Sequence, residues 1–126
     1  MKIGSIVSTD LTSHHADELK GFYQQVIGWE SEYLAMKDES GAYSDYVMKD
    51  KEGNWVGGLC HSRGANKDLP SQWIVYIQVD NVAESIKKCK ELGGKVVKEA
   101  KDGEGQCQYA LLEDPHGAVL AITRID

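Results

Sequence analysis

Two stretches of helical periodicity, each stopped by glycine and each followed by three strand-like runs, divide this chain of 126 residues into near-equal halves. Leu19, Phe22, Tyr23, Val26 and Ile27 recur at the i, i+3, i+4, i+7, i+8 spacing that puts apolar side chains on one face of an α-helix. Thr12 and Ser13 precede them as candidate N-caps, and Gly28 stands where a left-handed residue ends a helix. A second helix is expected over about residues 82–92. Asn81 and Glu84 have capping-box spacing, Ile86, Cys89 and Leu92 share one side, and Gly93-Gly94 stops it.

The remainder reads as short strands. Ile3 to Thr9 precedes the first helix, and Glu30 to Met36, Tyr43 to Lys49 and Asn54 to Ser62 follow it. Gln72 to Val79 precedes the second helix, and Lys95 to Ala100, Gln106 to Glu113 and Ala118 to Ile125 follow. The last two are joined by Asp114-Pro115-His116-Gly117, the residue order of a type I turn, with His116 at an exposed tip. The order β-α-β-β-β therefore occurs twice, and Ile27-Gly28-Trp29-Glu30 answers Leu92-Gly93-Gly94-Lys95 about half a chain later. The expected fold class is α+β: two pseudo-symmetric βαβββ modules forming a curved mixed sheet around a cavity. Residues 1–126 form a single domain, with module 1 over about 1–62, a linker over 63–71 and module 2 over about 72–126. A chain this long supports one core, not two independent ones.

Strand alternation nominates the residues that would line the cavity. Trp73, Val75, Ile77 and Val79 form a wholly apolar set suited to the helix, which turns Ile74, Tyr76 and Gln78 the other way. On the last strand Leu120 and Ile122 suit the core, while Val119, Ala121 and Thr123 are smaller or more polar. Ser8 and Asp10 share a face of the first strand, and His61 is the histidine that lies in a strand. Ser8, Asp10, His61, Tyr76, Gln78 and Thr123 are thus the candidate ligand-binding residues, a mixed polar and apolar set of the kind small-molecule sites use. The same alternation also fits faces that are simply solvated. Asp10 would serve as a general base if desolvated. Cys60 and His61 point to opposite sides of their strand and make a poor nucleophile–base pair. Gly57-Gly58 is not followed by a helix, so it forms no phosphate loop.

The net charge of −6 has the wrong sign for nucleic acid or anionic membranes as partners. No apolar run reaches membrane-spanning length, and Met1-Lys2-Ile3-Gly4-Ser5 lacks the layout of a secretory signal, so a cytoplasmic location is expected. Cys60, Cys89 and Cys107 are odd in number and contain no CxxC pair, which argues for reduced thiols over disulfides or structural zinc.

Phe22-Tyr23 with Gly28-Trp29 resembles the signature that closes the first helix in the vicinal oxygen chelate superfamily, which includes glyoxalase I, bleomycin-resistance proteins and extradiol dioxygenases. Trp73 to Val82, the Gly93-Gly94 stop and Asp114-Pro115-His116-Gly117-Ala118 resemble its second module. The resemblance implies the paired fold, a trough-shaped site and often a dimer. A homodimer is also the usual cover for exposed sheet edges. Metal-using members hold a divalent ion through His or Gln, Glu, His and Glu on four strands. Carried over by position, three of these fall on Ser8, Ile74 and Ala121, none a competent ligand. The second of the four falls within Gly58 to His61, in an ambiguous register. No cofactor is therefore expected, with a divalent metal as the alternative. The resemblance implies a protein binding an unknown small molecule, of the bleomycin-resistance kind. A lyase or dioxygenase-like enzyme, or an interaction module without ligand, are the competing readings.

Overall fold

Glycine ends both helical stretches as the sequence demands: Gly28 has φ 88° at the close of the first and Gly93 has φ 92° just beyond the second. The computed structural model describes residues 2–105 and 107–125, with Ala65 and Cys107 described by backbone only. In chain order the elements are β1 (Ile6–Ser13), α1 (Ala16–Ile27), β2 (Glu30–Asp38), β3 (Gly41–Lys49), β4 (Trp55–His61), a short 3-10 turn (Gly64–Asn66), β5 (Trp73–Gln78), α2 (Val82–Glu91), β6 (Lys95–Lys101), β7 (Cys107–Glu113) and β8 (Val119–Thr123). This is an α+β chain in which β-α-β-β-β occurs twice. The expected strand over Gln106 to Glu113 begins at a residue outside the described set.

The chain divides into two compact units, Thr9–Trp73 and a second made of the residues before Thr9 together with Ile74 onward. The boundaries thus differ from the expected 1–62 and 72–126. The N-terminal residues join the second unit because the Gly4 amide donates to the Gln78 carbonyl at 2.7 Å and the Gln78 amide to that of Ser5 at 2.9 Å. The expected linker over 63–71 belongs to the first unit. Arg63 grips Asp38 through two hydrogen bonds of 2.8 and 2.9 Å, and the Trp73 indole donates to the Tyr23 hydroxyl at 3.0 Å.

In the first unit the strands lie in the order β2-β3-β4-β1, with β1 parallel to β4 and the other pairs antiparallel. Parallel neighbours need a crossover, and α1 begins it. Leu11, Ala16, Tyr46, Met48 and Leu59 form its core, with Leu19, Tyr23, Trp29, Val56 and Trp73 packed around them. The Tyr23, Trp29 and Trp73 rings meet within 5.3 to 5.7 Å, which gives a packing reason for a tyrosine in the second half of the first helix and a tryptophan just after it. The apolar face of α1 is broader than its contact: Phe22, Val26 and Ile27 remain 54, 65 and 53 % exposed. Thr12 and Ser13, expected as caps, are instead buried ends of β1, and the residue before the helix is His15. Their pairing with Cys60 and His61 on β4 extends the strand beyond its local signal.

The second unit repeats the pattern as β5-β8-β7-β6, with β5 parallel to β8. Its core is Val82, Ile86, Ala110, Leu112 and Ile122, flanked by Val79, Cys89, Val96 and Leu120. Asn81 caps α2 by accepting the Glu84 amide at 3.0 Å. The turn at Asp114 closes through the Gly117 amide, and His116 is exposed there. The outer strand β6 carries Lys95, Lys98 and Lys101 and two register shifts, features that discourage edge-to-edge pairing.

Leu59 is wholly buried where α1, β3 and β4 meet. Replacing it with alanine should lower unfolding free energy by about 2–5 kcal/mol in urea titrations, the range for a cavity of that size. A loss below ~1 kcal/mol would show that the α1 contact is not the centre of this core.

Candidate functional site

Register fixes which side chains share a face. In the first unit Asp10 pairs with Gly58, Thr12 with Cys60, and Val47 with Gly58, so Asp10, Thr12, Asp45, Val47, Gly58 and Cys60 lie on the face away from α1. Leu11, Tyr46, Met48 and Leu59 lie on the face toward it. The polar face is held tightly. Asp10 accepts the Gly58 amide at 3.0 Å, and a Cβ at position 58 would stand 2.6 Å from the same Asp10 oxygen. A Cβ on Gly57 would meet the Thr9 carbonyl at 2.8 Å. The glycine pair is thus the condition for β1 to lie against β4 with its aspartate folded inward.

Asp45, 2 % exposed at its side chain, accepts the His61 backbone amide at 2.8 Å and faces His61 Nδ1 at 3.2 Å. Between these carboxylates sits Cys60. Burial pushes its thiol far up, and the charges of Asp45 and Asp10 and a hydrogen bond to Asp45 push the same way. The thiol stays protonated at neutral pH, so it is no nucleophile, in keeping with the poor pairing expected for Cys60 and His61.

His61 alternates with Leu59 and so belongs to the helix side, where its Nε2 lies 3.1 Å from Asp17 of α1. Its ring nevertheless reaches groups of both faces, Asp45 on one and Asp17 on the other. The cause is the end of β4, where the ring packs against Tyr43 at 5.7 Å and Tyr46 at 6.1 Å. Asp17 also accepts the Tyr46 hydroxyl. That bond, with His61 and Lys20 adding, holds the Asp17 carboxyl below the usual carboxylate range against the opposing pull of burial. Burial, with Asp17 next, pushes the Tyr46 hydroxyl up to about 12, so it is a hydrogen-bond donor throughout the neutral range. Arg63 stacks over Tyr43 at 4.0 Å while holding Asp38.

The other nominated residues lie in the second unit or at its border. Ser8 is half-buried on β1. Tyr76 pairs with Ala121 and Gln78 with Thr123, all on the face away from α2, as alternation requires. Tyr76 meets the Tyr109 ring at 5.8 Å. Gln78, 1 % exposed, spends both ends of its amide on Ile125, donating to the carbonyl at 3.0 Å and accepting the amide at 2.9 Å. It pins the C-terminal segment. Thr123 is buried and donates to the Gln108 carbonyl at 3.2 Å. An open depression of about 1190 Å³ lies in this unit, and Thr123 lines it together with residues that include Asp80, Asn81, Glu99, Lys101 and Arg124.

Sequence reasoning missed Asp45, Asp17 and Tyr46. The signal available was a carboxylate set among tyrosine, valine and methionine, at Asp45 in β3. The residues do not fit a divalent ion at the four inherited positions. Ile74 and Ala121 are apolar and buried, Gly58 offers no side chain, and both ring nitrogens of His61 face carboxylates. Among the described residues no three His, Cys, Asp or Glu side chains come close enough to hold a metal ion.

A family profile described as a glyoxalase-like domain matches residues 7–123. The chain is 26 % identical over 121 residues to CFP32 of Mycobacterium bovis and of Mycobacterium tuberculosis, a protein named provisionally as a glyoxylase. That match covers 96 % of this chain and 44 % of the relative, so the chain spans less than half the length of the curated relatives it matches. Among solved structures it is similar to a Streptomyces coelicolor methylmalonyl-CoA epimerase (TM-score 0.55, 14 % identity, 98 % of both chains). It is also similar to the hypothetical protein BH1468 of Bacillus halodurans (TM-score 0.58, 14 % identity, 99 and 96 % covered). At that identity the likeness establishes the fold alone. No helix is long and apolar enough to cross a membrane among the described residues.

Alkylation of the native protein at neutral pH should leave Cys60 unmodified by mass spectrometry until denaturant is added. Labelling at the rate of a free thiol would contradict the burial and charge argument.

Proposed function

Because the chain belongs to the glyoxalase-like domain family of the vicinal oxygen chelate superfamily, we propose that it is a small-molecule-binding protein of the glyoxalase and bleomycin-resistance type that works without the usual metal. The observation that carries this reading is the polar face of the first unit. Asp10 occupies the space that a side chain at position 58 would need, so β4 presents no donor there. Around it stand a buried carboxylate and a neutral thiol, groups that recognise hydrogen-bond donors but leave no set of ligands for an ion. Ser8, Tyr76 and Thr123 remain proposed ligand contacts. Gln78 is better read as a support for them, since its amide is committed to Ile125.

The alternative is an enzyme of the same superfamily, a lyase or dioxygenase-like catalyst. Asp10 favours it, as a half-buried carboxylate on the strand face away from the helix is the kind of group that serves as a base. The two readings separate in one experiment. Thermal unfolding is followed with a panel of cationic glycopeptides, acyl thioesters and catechols, with and without chelator. A binder gains about 2.7 kcal/mol at a hundredfold excess over Kd, unchanged by chelator and reduced in Asp10→Asn. Turnover that a divalent metal restores and chelator removes would overturn the binding reading.

A homodimer in the cytoplasm belongs to the same proposal. Exposed Phe22, Val26 and Ile27 on α1 support the dimer, since three adjacent large apolar side chains rarely stay wet. Sedimentation velocity should give twice the monomer mass, and replacing Phe22 and Val26 with glutamate should return the monomer. A monomer at every concentration would refute it.

A further inference from the structure

Helix α1 starts without a side-chain cap, and Ala16 is its one fully buried residue. Ser13 accepts the His15 amide at 3.0 Å, ahead of the helix. What ties the first turn to the sheet is Asp17, which reaches Tyr46 on β3 and His61 at the end of β4. The ring of His61 is enclosed by two acids: Nδ1 lies 3.2 Å from Asp45 and Nε2 lies 3.1 Å from Asp17. A ring nitrogen opposite a carboxylate oxygen forms a bond only when it carries a proton, and a neutral imidazole carries one. The same Asp45 oxygen already accepts the His61 amide, and the Asp17 oxygen already accepts a phenol, so both act as acceptors. Two protons on the ring satisfy both contacts at once.

We propose that His61 is a proton-operated clasp that, carrying both protons, ties the first turn of α1 to β4 as well as to β3, and on losing one leaves that turn held to β3 by Tyr46 alone. The break falls on the helix side. Asp45 is 2 % exposed and keeps the remaining Nδ1 proton, whereas Asp17 is 73 % exposed and can turn to water. The ring itself is 16 % exposed at its side chain, open enough to exchange its proton with solvent. The groups facing this cluster are Asp17 and Lys20 from α1, Tyr33 from β2, and Tyr43, Asp45 and Tyr46 from β3. Cys60 and Arg63 adjoin it from β4 and the segment after it. Lys20 lies over the Tyr46 and Tyr33 rings and near Asp17, so a cation stays beside Asp17 when the ring becomes neutral and keeps the released carboxylate ionised. The sign follows from the contacts: each needs a proton on its ring nitrogen, so the clasp is complete with two ring protons and loses its Asp17 contact with one. Histidine is the side chain suited to such a change near neutrality.

The test reads amide hydrogen exchange at Leu19 and Lys20 between about pH 5.5 and 8.5, corrected for intrinsic exchange, with imidazole nitrogen shifts of His61 recorded on the same samples. The wild type should lose roughly threefold to fivefold of its protection as pH rises, the factor for an ion pair with one exposed partner. Over the same interval the ring should pass from doubly protonated to the Nδ1–H form. In Asp17→Asn the carboxamide can accept from Tyr46 and donate to a neutral ring, so protection should no longer fall with pH. His14→Gln with His15→Gln, beside the helix start, should leave the wild-type response intact. A ring that is neutral at about pH 5.5, or a pH response that survives in Asp17→Asn, or one that vanishes in the His14 and His15 variant, would overturn the proposal.

Discussion

Each unit depends on its first strand lying parallel to its last, and parallel strands must approach without the help of a hairpin. The sequence meets that requirement with small residues at the seam. In the first unit Gly57 and Gly58 admit β1, whose Thr9 carbonyl and Asp10 carboxylate occupy the space two Cβ atoms would take. In the second unit Ala121 faces Tyr76 across the parallel pair, and Ala110 faces Ile122 on the neighbouring pair. Once the seam is closed, the crossover helix has only one place to pack, and the antiparallel strands follow from their turns. The polar face of the first unit is a product of the same seam, because Asp10 is aimed by its pairing opposite Gly58.

Local chemistry was legible and distant chemistry was not. Gly28 and Gly93 end their helices by a backbone conformation that one residue can announce. Asn81 caps from three residues away, and the Asp114 turn is contained within four. The extension of β1 through Thr12 and Ser13 was hidden because hydroxyl residues before a helical pattern ordinarily cap it. Here a parallel partner captures them. The alternation of Tyr76, Gln78 and Thr123 away from their helix was read correctly, since period two needs no tertiary knowledge. What Gln78 does there was not, because its partner is the backbone of Ile125, 47 residues away. His61 is the same case: Asp45 and Asp17 lie 16 and 44 residues from it, and no spacing rule connects them.

The polar groups of the first unit are arranged more for mutual support than for reactivity. Asp45 serves a backbone amide, an imidazole and a thiol at once. Asp17 serves a phenol and the same imidazole from the other side. Among the described residues no buried side-chain polar atom lacks a partner. A network this complete resists rearrangement, since removing one member leaves another buried and unsatisfied.

The contact between Asp10 and Gly58 also constrains the history open to this protein. A carboxylate or imidazole gained at position 58 would collide with Asp10, and loss of Asp10 first would strip the Gly58 amide of its acceptor. A side chain at position 58 is therefore closed to this chain for as long as Asp10 keeps its place against β4.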